Sequence, residues 1–159
     1  MGAIKPDELV EEFARRTRKN LATLRQLQDE NPQAEIYEVT QLVNSMLGLL
    51  VFPQQKFMDA IPEIPLDELA KKGWPIPKIV GKYNQARNLK ELVRYLRNAI
   101  AHLNLEFTND RHDQISGLRV WNCEDAKGGG KRKTWEAELS IADIEQLSDK
   151  FIALLLKEE

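Results

Sequence analysis

Apolar residues recur at intervals of three and four along most of this chain and alternate with polar ones over a stretch near its end. Over residues 7–29, Leu9, Phe13, Thr17, Leu21, Leu24 and Leu27 or Gln28 fall at helical spacing, predicting an amphipathic helix opened by Pro6 and Asp7. Its acidic side chains come first and its basic ones later, an order that suits the helix dipole. Asn31 and Pro32 predict its end. A second stretch, 35–52, is apolar around most of its circumference through Val39, Leu42, Val43, Met46, Leu47, Leu49, Leu50 and Val51, which assigns it to the middle of a bundle. Pro53 predicts a stop or kink there, with a weaker turn continuing through Phe57 and Met58.

From residue 61 to 80 the chain carries Pro62, Pro65, Pro75, Pro77 and Gly73, a long ordered connection around one short helix, LDELAKK, with Trp74 as a packing anchor. A third helix is predicted over 85–102, with Leu89, Leu92, Val93, Leu96, Ile100 and Leu103 as its apolar stripe. Short half-buried strands follow within 104–139, with GGGKRK at a hairpin tip. Ser140 and Asp143 resemble a capping box opening a last helix over 140–157. The expected architecture is mainly α: a four-to-five-helix bundle with a small antiparallel sheet inserted before the last helix, in one domain spanning 1–159.

Composition narrows the chemistry. With 23 basic and 25 acidic side chains, the formal charge is −2, so any nucleic-acid contact must be local. Cys123 is the only cysteine, which excludes an internal disulfide and a cysteine-based zinc site and fits a reducing, cytoplasmic compartment. The longest apolar run, LVNSMLGLLVF, is too short to span a bilayer, and the first residues have no signal-peptide order. A soluble protein with no membrane partner is expected.

The candidate chemistry lies at the end of the third helix. On a helical wheel Arg97 falls about 80° from the core direction, His102 about 140° away from it on the opposite side, and Asn98 nearly straight out. Asn98 and His102 are four residues apart and can meet. Cleavage of RNA by its own 2′-hydroxyl needs a proton-moving group near neutral pH, which histidine supplies, and a fixed cation for the phosphorane-like transition state, which arginine supplies. No metal or cofactor is called for, and no ligand spacing for a metal is present. The residues alone leave an ordinary solvated helix end open as well, because this spacing is common by chance. Lys90 and Arg94 extend the same face as a candidate track for RNA backbone. Lys131, Arg132 and Lys133 read as a solvated loop, Asn44 and Ser45 as internal hydrogen-bonding groups, His112 as a surface residue and Cys123 as a packed thiol.

RNAIAH, Arg97 to His102, resembles the arginine–x4–histidine signature of the HEPN superfamily, and EVTQLVNSMLGLLVFPQQKF followed by LRNAIAHLNLEF is similar to a bacterial branch of HEPN nucleases. The resemblance implies a metal-independent endoribonuclease whose homodimer joins two motifs in one cleft, acting as a toxin or phage-defence effector. Arg97 would then stabilise phosphate, and His102 would move protons or position phosphate. Asn98 would be the polar residue that often follows the arginine. Toxins of this kind paired with a nucleotidyltransferase antitoxin commonly carry a tyrosine two residues after the histidine as the site of adenylylation; here Asn104 stands there, which argues against regulation by that type of partner and leaves the nuclease expectation intact. A catalytically silent module, binding RNA, a nucleotide or a partner protein through the same groove, is the alternative expectation.

Overall fold

The computed structural model describes residues 6–34, 38–51 and 55–158. Six helices and four strands follow in the order α1 (Pro6–Glu30), α2 (Glu38–Val51), α3 (Gln55–Ala60), α4 (Leu66–Lys71), β1 (Lys78–Ile79), α5 (Leu89–Ala101), β2 (Leu105–Asn109), β3 (Ile115–Asp125), β4 (Lys131–Ser140) and α6 (Ile141–Leu155). The mainly helical expectation with a small antiparallel sheet holds in outline. The expected start of the second helix at Glu35 and the stop at Pro53 lie outside the described residues.

Helix α2 has the buried character its sequence demands: Leu42, Val43, Met46, Leu49 and Leu50 are all in the core. It packs against α1, α5 and α6. In α1 the buried positions are Ala14, Thr17 and Leu21, whereas Leu9 and Leu27, expected in its stripe, are exposed at the helix ends. Asn44, expected to satisfy a bond within the bundle, is exposed. The Ser45 hydroxyl donates to the Gln41 carbonyl of its own helix, the ordinary local solution for a mid-helix serine.

The sheet runs β1-β4-β3-β2 with every pair antiparallel. It is therefore not wholly inserted between α5 and α6: β1 comes from the proline-rich connection before α5 and closes the far edge on β4. One face presents Leu118, Val120, Trp135, Ala137 and Leu139 to the core. On the other, β1 to β2 line up Lys78, Glu138, Arg119 and Glu106 in register, a row of alternating charge. Arg119 Nε donates to Glu138 at 3.0 Å and the Arg119 guanidinium lies 3.6 Å from Glu106. An antiparallel sheet with one solvated face reads in sequence as the alternation seen here.

Helix α6 begins as its sequence predicts. Ser140 Oγ accepts from Asp143 N while Asp143 accepts from Ser140 N, a complete capping box. Helix α5 begins four residues later than expected, because Asn88 adopts an extended conformation and its side chain accepts from Glu91 N at 2.9 Å. An asparagine cap satisfies one of the orphan donors of the first turn, so residues 85–88 stay irregular.

Candidate functional site

The core-facing stripe of α5 (Leu89, Leu92, Val93, Leu96, Ala99 and Ile100) is buried, which fixes the helix in rotation. The opposite side faces α3 and the segment after it across a cleft of about 330 Å³. Its cations are Arg87, Lys90, Arg94 and Arg97; its carboxylates are Asp59, Glu63 and Glu91; Met58 and Asn88 complete the wall. Lys90, Arg94 and Arg97, singled out from sequence, are thus brought together. Asn98 and His102 are not part of this lining.

The cations differ in how they are held. Glu91, buried beneath them, accepts from Arg87 N at 2.7 Å and Arg87 Nε at 3.2 Å on one oxygen, and from Arg87 at 3.2 Å and Arg94 at 3.4 Å on the other. Burial pushes the Glu91 carboxyl up, but the Arg87 side-chain and backbone bonds outweigh it and hold the group below its ordinary value. Lys90 lies 3.9 Å from Glu63 and donates to the Asp59 carbonyl at 3.5 Å. Arg97, half-buried, has no hydrogen bond or ion pair with any described residue. A guanidinium carries five donors and a permanent charge, so among the described residues Arg97 is the one cation of this cleft whose capacity is fully open to a ligand.

His102 is placed by the end of the helix. It is the C-cap, its N–H donating to the Asn98 carbonyl, and it is exposed. Beyond it Leu103 N donates to Ile100 O at 3.1 Å and Asn104 N to Ala99 O at 2.8 Å, the paired bonds of a Schellman termination. Leu103 takes the left-handed position with φ 56°. Asn104 O then accepts from Trp121 N at 3.0 Å, and Asn122 Nδ2 donates to Tyr95 O at 3.1 Å, so β3 holds the segment just past α5 at one point and the middle of the helix at another. Asn98 is half-buried and makes no side-chain hydrogen bond to His102; the exposed small residue of that turn is Ala101. The contact expected between Asn98 and His102 requires a helical turn that includes His102, whereas the helix ends at Ala101 and His102 is its cap.

The other candidates resolve simply. Lys131 pairs with Asp125 at 2.6 Å, Lys133 with Glu136 at 2.9 Å, and Arg132 with Glu124, so the hairpin tip presents no bare positive patch. Lys133 also lies 4.7 Å from the centre of the Trp121 ring. His112 is exposed in its turn and accepts from Arg111 Nε at 3.3 Å. Cys123 is half-buried in β3. Trp74 is half-buried and packs on the core as an anchor.

Sequence reading missed the acidic side of the cleft. Glu91 could have been found, since Asn88-x-x-Glu91 has the spacing of a helix start. Asp59 and Glu63 meet α5 only through the tertiary fold. Among the described residues there is no group of three or more His, Cys, Asp or Glu able to hold a metal ion, and no helix is long and apolar enough to cross a membrane.

A family model described as HEPN pEK499 p136 matches residues 1–159. No curated protein and no solved structure matches the chain.

Proposed function

Since the chain belongs to the HEPN family that this model describes, we propose that it is a metal-independent endoribonuclease, cutting RNA by attack of a 2′-hydroxyl on the neighbouring phosphate. The observation that carries the reading is the open Arg97 guanidinium on the same helix as an exposed, rigidly placed His102. In this reaction the 2′-oxygen forms a bond to phosphorus and the bond to the 5′-oxygen breaks. One proton leaves the 2′-hydroxyl and one is delivered to the departing 5′-oxygen, giving 2′,3′-cyclic phosphate and 5′-hydroxyl ends. Arg97 would carry the charge on the pentacoordinate phosphorus and His102 would move a proton. Asn98 would orient the phosphate.

Arg97 and His102 lie about 140° apart around the helix and about 7.5 Å apart along it. A site made by two chains, each contributing Arg97, Asn98 and His102, brings such groups together more readily than one chain can, and it supplies two histidines for the two proton transfers. We therefore read the active form as a homodimer, with Lys90 and Arg94 holding flanking RNA backbone. A toxin or phage-defence effector, restrained by an antitoxin or another regulator, is the role such an activity fits.

The test is incubation with RNA oligonucleotides in EDTA beside Arg97→Ala and His102→Ala. Each variant is expected to lower cleavage by at least about 100-fold while leaving the thermal unfolding midpoint in place, and wild type should leave cyclic phosphate ends. Full cleavage by both variants, or a strict need for added divalent metal, overturns the reading. One observation favours a second reading, a silent binding module: Arg97 lines the α3–α5 cleft and His102 does not. Tight RNA binding without products would decide for it.

A further inference from the structure

The cleft between α3 and α5 has a charge pattern that a plain phosphate site does not need. Arg94 is tied to Glu91, Lys90 donates to the Asp59 carbonyl and lies only loosely beside Glu63, and Glu91 is saturated by Arg87 and Arg94. Among the described residues that leaves Arg97 as the open cation. Glu63 is only loosely held, 3.9 Å from Lys90 and with its side chain 68% exposed, so most of its acceptor capacity is free on the cleft wall. An anion with nothing but oxygens would be drawn to Arg97 and repelled by Glu63. A ligand that offers one negative charge at one end and a row of hydrogen-bond donors at the other, separated by about the 10 Å that seven helical residues span between Lys90 and Arg97, satisfies both.

A nucleotide is such a ligand, and the volume of about 330 Å³ is at the small-ligand end of binding clefts. Among RNA bases, guanine presents N1–H and N2–H side by side on its Watson–Crick edge, matching the two oxygens of one carboxylate. Uracil presents there a single N3–H donor flanked by two carbonyl oxygens, so only one carboxylate oxygen is satisfied and the other faces a carbonyl that repels it. We propose that the α3–α5 cleft binds one guanosine phosphate unit, its phosphate on Arg97 with Arg94 at the flank and its base edge on Glu63, making Glu63 a specificity-determining residue. The inference deepens the endoribonuclease reading and rests on it for one source of the ligand, a guanosine beside the cut site in the bound strand; the other source is free nucleotide.

The experiment is titration of the full chain with guanosine 5′-monophosphate, uridine 5′-monophosphate and inorganic phosphate. It is read by calorimetry and by the Nε–H resonances of the arginines in two-dimensional NMR, which needs no variant. Guanosine phosphate should saturate and shift the Arg97 resonance, with uridine phosphate about tenfold weaker and inorganic phosphate weaker again. Arg97→Ala should weaken guanosine phosphate at least tenfold, and Glu63→Gln should remove most of the preference over uridine, both with thermal unfolding unchanged. Equal binding of inorganic phosphate, an unaltered base preference in Glu63→Gln, or no movement of the Arg97 resonance overturns the proposal. Displacement of guanosine phosphate by a 2′-O-methyl oligonucleotide assigns the site to the strand; simultaneous binding assigns it to free nucleotide, and either keeps the guanosine site. Cleavage without nucleotide binding would sink this inference and leave the nuclease standing, whereas binding without cleavage would do the reverse.

Discussion

Leu103 occupies a backbone conformation that glycine would take at less cost, and 76% of its surface is exposed. Left-handed geometry costs a side chain about 1–2 kcal/mol, offset in part by the extra freedom glycine has when unfolded. Leu103→Gly should therefore stabilise the isolated chain by up to about 1 kcal/mol, measured as an increase in the urea midpoint. A loss of stability would mean that the exposed leucine is covered in solution. Glu91 behaves in the opposite sense. Its folded-state carboxyl is held below its ordinary value, so its contribution is present above the unfolded-state pKa and is lost as pH falls through the folded-state one. Glu91→Gln should cost about 1–3 kcal/mol at neutral pH, and denaturation at a series of pH values should find that gap closing in acid. At this scale the sequence disclosed residue type and spacing: Arg97 and His102 could be named without coordinates. Whether a given cation was free or already paired could not, because Glu63 lies 27 residues from Lys90 and no local pattern links them.

Among the elements, α1 and α2 approach closely at Gly48. A β-carbon there would collide with the tip of the Phe13 ring, so Gly48→Ala is expected to destabilise the fold by about 1–3 kcal/mol, despite the better helix propensity of alanine. An unchanged thermal midpoint would show that the Phe13 ring relocates freely. The long, strongly periodic helices were legible in the sequence because burial of one face imposes the 3.6-residue repeat. The capping box of α6 was legible for the same local reason. The two-residue strand β1 was not: its place in the sheet depends on Lys78 and Ile79 meeting Glu138 and Ala137 some sixty residues later. The late start of α5 was missed because an asparagine cap competed with a propensity that favoured helix from Gln85.

For the whole molecule, the formal charge of −2 means that any attraction of RNA must come from a few local cations and should be only moderately salt-dependent. Removing Arg97 should lower the slope of log affinity against log salt by about one, measured by fluorescence anisotropy with a noncleavable oligonucleotide. The homodimer reading expects light scattering to report twice 18.3 kDa for the cleaving species; cleavage by a strict monomer would remove the composite site. The sequence by itself determined the helical class, the buried faces and the arginine–x4–histidine spacing, since each is a local consequence of which residues recur at which interval. Tertiary structure alone decided that Lys90, Arg94 and Arg97 share a cleft with Asp59, Glu63 and Glu91 while His102 stands at the anchored helix end. That outcome depends on how α3 docks on α5 and how β3 ties down the middle of α5 and the segment just past it, contacts between segments whose separation along the chain carries no periodic signal.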